Sequence, residues 1–114
     1  MSNNAHVLVV EDIPQVREAA VRIIEELGCR VFDAYKGDQA LTILRAHDEI
    51  RVLFADVRMP GMSGVELAEA AHRLRPDLHI VLTSGYVSRD EVPEDVAFVP
   101  KPWRVAQLAE AIAC

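Results

Sequence analysis

Asp56 closes an apolar run, Val52-Leu53-Phe54-Ala55, and soon after it the chain is broken by Pro60, Gly61 and Gly64. The same arrangement recurs elsewhere. Val7-Leu8-Val9-Val10 runs into Glu11-Asp12, and Ile80-Val81-Leu82 runs into Thr83-Ser84-Gly85. Ala97-Phe98-Val99 precedes Lys101-Pro102. Each run hands a reactive group to whatever lies beyond it. Carboxylates brought together repel and raise one another's pKa. A hard cation relieves this, and Mg²⁺ prefers a few carboxylates together with water and a phosphate oxygen. A carboxylate can also act as a nucleophile and form an acyl phosphate. A metal, a lysine and a hydroxyl then neutralise charge on the transferred group. These residue types suit phosphoryl transfer onto an acid.

For the groups to meet, the runs must be strands that end on one edge of a sheet. In an open α/β sheet, ligands bind beyond the carboxyl ends of the strands. Strands are expected at 6–10, 30–34, 51–55, 79–83 and 97–99. Three of these are continuously apolar, as central parallel strands covered on both faces should be. The run at 30–34 interleaves polar residues, which suits an edge, and Pro100 also fits an edge strand.

Helical patterns lie between the runs. Pro14 suits a first turn, Val16, Ala20, Ile23, Ile24 and Leu27 follow helical spacing, and Gly28 ends that helix. Gly37-Asp38 opens a second helix. Ser63 with Glu66 forms the capping-box pattern of a third, and Val105, Leu108, Ala109 and Ile112 line the last. The order is that of a doubly wound, five-stranded parallel α/β sheet. One crossover is thin. In "VSRDEVPEDV", Ser88 and Glu91 can cap a turn but Pro93 stops its growth, so the fourth helix should be shortened or absent.

The chain of 114 residues fits one domain over residues 1–114. Its net charge of −6 argues against a nucleic-acid surface. No apolar stretch approaches a membrane span and the start lacks a signal-peptide pattern, so a cytoplasmic protein is expected. Cys29 and Cys114 have no metal or disulfide-framework spacing, which favours a core thiol and a frayed terminal one. The four histidines are scattered and form no ligand set.

"VLVVEDIP", "FADVRMPGMSG", "VLTSGY" and "FVPKPW" together resemble the receiver domain of two-component response regulators, over His6 to Ile112. The resemblance implies a flavodoxin-like fold with strand order 2-1-3-4-5. It implies that Asp56 accepts a phosphoryl group from a histidine kinase or histidine phosphotransfer protein. Mg²⁺ would be held by Asp12 and Asp56, by Glu11 mainly through water, and by the backbone carbonyl of Arg58. Lys101 would contact the acid and then the phosphate, across a cis bond to Pro102. Ser84 takes the place of the switch hydroxyl, with Thr83 as the alternative, and Phe98 that of the switch aromatic. Trp103 stands where Phe is more usual, as packing for the last helix. Arg58 and Tyr86 flank the approach of water to the acyl phosphate, and slow self-hydrolysis is expected from them.

The shortened fourth crossover removes part of the face that commonly serves dimerisation and output, which favours a monomer. The chain would be a stand-alone receiver or one cut from a hybrid kinase. An enzyme of the haloacid dehalogenase type would want a second acid where Arg58 stands. A dead interaction module would lack an acid or the lysine. A flavin carrier would need a Ser/Thr/Gly-rich loop where "EDIPQ" stands.

Overall fold

The computed structural model describes residues 5–86 and 89–112. Five parallel strands form one sheet in the order β2-β1-β3-β4-β5. They are β1 (His6–Val10), β2 (Arg30–Ala34), β3 (Ile50–Asp56), β4 (His79–Ser84) and β5 (Ala97–Pro100). The helices are α1 (Pro14–Glu26), α2 (Gly37–Ala46), α3 (Gly64–Leu74) and α4 (Val105–Ile112). The doubly wound arrangement, the flavodoxin-like order and the edge positions of the second and fifth strands are those anticipated from the sequence. The strands β3, β4 and β5 run slightly further than the apolar runs, because Asp56, Ser84 and Pro100 keep extended backbone and ladder partners.

Side-chain alternation divides the core in two. Leu8, Leu53, Ala55, Ile80 and Leu82 face α2 and α3, meeting Leu44, Leu67 and Ala71. Val7, Val9, Phe54 and Val81 face α1 and α4, meeting Ala20, Ile24, Leu108 and Ile112. The central strands are buried on both faces, which is why they read as unbroken apolar runs.

The helix signals act locally as their chemistry demands. Pro14 starts α1, and Gly28 follows its end with φ +99°, a left-handed conformation that glycine adopts without Cβ strain. Ser63 caps α3: its hydroxyl accepts from Glu66 N at 3.2 Å while Glu66 Oε1 accepts from Ser63 N at 2.9 Å.

The fourth crossover is a single 3₁₀ turn, Arg89–Glu91. Ser88, expected to cap it, lies outside the described residues. Arg89 does the work that helical hydrogen bonds would have done. Its guanidinium donates to the carbonyls of Pro93, Glu94 and Val96 at 3.1, 3.2 and 2.8 Å. Val92 and Val96 are buried against the α2/α3 face, so the short segment still closes the core.

Cys29 corrects one expectation. It is buried at 7% exposure but is not a free thiol: it is disulfide-bonded. Chain spacing carries no information about which sulfur comes near in space. Cys114 lies outside the described residues.

Candidate active site at the carboxyl edge of the sheet

Strands β1, β3 and β5 deliver three groups to one point. Glu11 directly follows β1, Asp56 ends β3 and Lys101 directly follows β5. Both acids are buried, Glu11 at 2% and Asp56 at 5% exposure. Lys101 Nζ donates to Asp56 Oδ2 at 2.5 Å and to Glu11 Oε1 at 3.1 Å. One ammonium thus bridges two carboxylates that would otherwise repel.

The backbone holds the acids in place. Asp56 Oδ1 accepts from Arg58 N at 2.9 Å, and Glu11 Oε2 accepts from Ile13 N at 3.1 Å. Arg17 on α1 donates to the Glu11 carbonyl at 2.9 Å and pairs with Asp33 of β2 at 3.3 Å. Lys101 N donates to the Ser84 carbonyl at 3.0 Å, and the Lys101–Pro102 peptide is cis.

The electrostatics follow from burial and crowding. Burial, reinforced by hydrogen bonding to and repulsion from Asp56, pushes the Glu11 carboxyl up to about 7 from 4.5. Burial works against the Lys101 ammonium, but its hydrogen bonds and attraction to Asp56 and Glu11 outweigh that and hold its pKa above the ordinary value.

The Glu11 shift carries a stability consequence. Between pH 4.5 and about 7 the unfolded chain has released this proton while the folded protein keeps it. Stability therefore falls as pH rises through that window. Glu11→Gln keeps an acceptor for Ile13 N and removes the charge. In metal-free buffer the variant should gain on the order of 2 kcal/mol over wild type at pH 8, and nothing at pH 4. Urea denaturation at the two pH values measures the difference, and an equal gain at both would reject the cause.

The remaining candidates line the approach. An open groove of about 730 Å³ is bordered by Asp12, Ile13, Arg58, Tyr86, Lys101 and Trp103, with Asp56 at its floor. Asp12 is half-buried there. The Arg58 guanidinium lies over the Tyr86 ring, 5.0 Å from its centroid, while Tyr86 itself is 78% exposed. The two hydroxyls are separated by their partners. Thr83 Oγ1 accepts from Trp103 Nε1 at 2.8 Å, and Ser84 Oγ accepts from Tyr86 N at 3.0 Å. Phe98 is half-buried on β5 beside Leu82 and packs against the α2/α3 core, away from Asp56.

Among the described residues, no three metal-ligating side chains stand preassembled around a cation. The donors nevertheless suit a hard one. Glu11, Asp12 and Asp56 offer oxygen only, and the charge that Lys101 now neutralises is the kind Mg²⁺ takes.

Three parts of the site were not read from the sequence. Arg17 resembles any surface residue of α1. In the sequence Trp103 reads only as packing, although a tryptophan N–H that is buried usually finds a partner. In the sequence Gly64 marks only a chain break. Its ideal Cβ would fall 2.2 Å from the Asp56 carbonyl oxygen, so the start of α3 rests on the backbone of the acid.

A doubly wound sheet of this order, with two acids and a lysine in contact beyond its carboxyl edge, defines an α/β protein of the flavodoxin-like class. Residues 7–113 match the response regulator receiver domain family, and the chain belongs to that family. It is 34% identical over 118 residues to the sensor kinase CckA of Brucella abortus (strain 2308), covering 98% of this chain and 12% of that protein. It is 29% identical over 111 residues to the response regulator receiver protein CpdR of the same organism, covering 93% of this chain and 92% of CpdR. The solved structure of the response regulator TrrA of Thermotoga maritima in complex with Mg²⁺-BeF is similar at a TM-score of 0.87 and 27% identity, over 99% of this chain and 97% of that one.

Proposed function

We propose that this receiver domain takes a phosphoryl group onto Asp56 from a histidine kinase or histidine phosphotransfer protein, in the presence of Mg²⁺. One observation carries the reading: Lys101 bridges Asp56 and Glu11 beyond the carboxyl edge of the sheet. In the step, a carboxylate oxygen of Asp56 forms a bond to phosphorus as the phosphorus–nitrogen bond of the donor histidine breaks. The departing imidazole nitrogen keeps the bonding electron pair. Lys101 meets the developing charge on the phosphoryl oxygens, and Arg58 N–H holds the non-attacking oxygen of Asp56. Asp12, Glu11, Asp56 and the Arg58 carbonyl would hold the metal, which supplies charge neutralisation to the phosphoryl group. Ser84, at the end of β4, is the hydroxyl that meets the phosphate, and Phe98 follows its change of state.

The domain is a signalling phospho-acceptor that assists its own phosphorylation and dephosphorylation, not an enzyme with a separate substrate. It works in the cytoplasm, as a monomer, with protein partners and neither nucleic acid nor membrane. No helix among the described residues is long and apolar enough to cross a membrane. The similarity to both a sensor kinase and a free-standing receiver fits either setting, a relay intermediate or a single-domain regulator. Incubation with acetyl phosphate and Mg²⁺ tests the reading: intact mass should rise by one phosphoryl group, and omission of Mg²⁺ should prevent it. No mass change with Mg²⁺ present would reject it.

Arg58 and Tyr86 govern how long the group stays. Stacked on each other at the rim, they form a cation–π pair that narrows the approach of water to Asp56. Neither is an acid or amide suited to orient an attacking water. The variant carrying both Arg58→Ala and Tyr86→Ala should lose its phosphoryl group several-fold faster than wild type, the scale of one exposed cation–π pair. The decay of purified phosphoprotein measures this, and equal half-lives would remove the gate.

A further inference from the structure

Trp103, the one tryptophan of the chain, reaches two of the three central strands, β3 and β4, and lies in the turn that carries Lys101. Its indole N–H donates to Thr83 Oγ1 at 2.8 Å. Its ring meets Phe54 edge-on, with centroids 5.6 Å apart and planes at 60°. Lys101 Nζ lies 5.7 Å from the centre of the same ring. Phe54 stands two residues before Asp56 on β3, and Thr83 is the β4 residue in register with Asp56.

These contacts bear on two problems of the site. The first is the lysine. Pro102 and Arg104 are exposed, so within the turn after β5 burial rests on the Trp103 ring, which packs against the α1/α4 core. The turn is tied to β4 from two sides, by Lys101 N to the Ser84 carbonyl and by Trp103 to the Thr83 hydroxyl. A turn displaced by an ångström would carry the ammonium off Asp56, and misplacement on that scale is costly to catalysis. The second is the choice of hydroxyl. Alternation along β4 puts Thr83 on the same face of the sheet as Asp56, which makes it the natural competitor of Ser84. Its oxygen accepts from the indole N–H, which fixes the hydroxyl in place while its own O–H can still donate.

We propose that Trp103 is a positioning residue for phosphoryl transfer. Its hydrogen bond to Thr83 sets the turn that places Lys101 on Asp56 and fixes the position of the Thr83 hydroxyl. This rests on the phospho-acceptor reading above. A purely packing role for Trp103 would need only the ring. The positioning role needs the N–H and the hydroxyl together.

The two are separable by near-isosteric changes. Thr83→Val keeps the branched shape and removes the hydroxyl, and Trp103→Phe keeps an aromatic ring and removes the N–H. Uptake from acetyl phosphate with Mg²⁺ is followed by intact mass for wild type, both single variants and the double variant, at a temperature where circular dichroism shows all four folded. Each single variant should be slower by about fivefold, the scale of one hydrogen bond. The double variant should be no slower than either, because all three lack the same bond. Trp103 emission supplies a second reading: Mg²⁺ with beryllium fluoride should shift it in wild type, as the ammonium beside the ring is drawn to the phosphate mimic, and shift it less in Thr83→Val.

Wild-type rates in both single variants would overturn the positioning role, as would losses that multiply in the double variant. A slow Thr83→Val beside a normal Trp103→Phe would also overturn it, since Thr83 would then meet the phosphoryl group itself. A wild type that takes up nothing removes the phospho-acceptor reading and this role with it. A labelled wild type with unimpaired variants removes only the role of Trp103.

Discussion

Asp56→Asn is expected to take up no phosphoryl group under conditions that label the wild type fully. The change is small in volume and large in chemistry. An amide oxygen is a far weaker nucleophile than a carboxylate, so the acyl phosphate cannot form. The amide still has an oxygen to accept from Arg58 N, the contact now made at 2.9 Å. Lys101 loses one anionic partner and keeps Glu11 at 3.1 Å. Glu11 is relieved of the repulsion from Asp56 that helps to raise its pKa. The fold should therefore survive, with a melting temperature equal to or above that of wild type in metal-free buffer near pH 7.5. That melting curve makes a null labelling result interpretable, because it separates a missing nucleophile from a missing fold. Full labelling of the variant would move the acceptor to another side chain and sink the assignment.

The sequence was most legible where one residue type has one use. Continuous apolar runs became central strands because both faces of the sheet are covered by helices. Ser63 with Glu66 became a capping box because both halves of the motif are local. The reactive edge was legible for the same reason: Glu11, Asp56 and Lys101 each lie at or just beyond the end of a strand, and parallel strands put such ends together. What stayed hidden depends on three-dimensional neighbours. Nothing in the spacing says that Arg89 turns its guanidinium onto three carbonyls and replaces a helix. Nothing says that Arg17 reaches the Glu11 carbonyl, or that the Thr83 hydroxyl is claimed by an indole from beyond β5. Cys29 is the sharpest case, since a sulfur's partner is decided by proximity alone. These contacts join residues through the fold and leave no pattern along the chain.

Gly64→Ala should destabilise the protein by about 3 kcal/mol, against the direction that helix propensity predicts. Gly64 opens α3, and alanine is favoured over glycine within a helix by up to ~1 kcal/mol. The surroundings reverse the sign. An added Cβ would lie 2.2 Å from the Asp56 carbonyl oxygen and 2.8 Å from both the Asp56 carbonyl carbon and Val57 Cα. All three are backbone atoms, which cannot turn aside as a side chain can. Gly64 N also donates to the Val57 carbonyl at 2.8 Å, so retreat of the helix would break that bond. Either α3 lifts from the sheet or the end of β3 moves, and the second displaces Asp56 from Lys101. A fall in melting temperature of roughly 10 °C should therefore come with slower uptake of phosphoryl groups, measured well below the transition. Gly61→Ala is the matched control. Gly61 has φ +76° and nothing within 4 Å of its ideal Cβ, so it should cost only the ~1–2 kcal/mol of a left-handed alanine and leave uptake unchanged. Equal behaviour of the two variants would show that the contact with the Asp56 backbone is not what selects glycine at position 64.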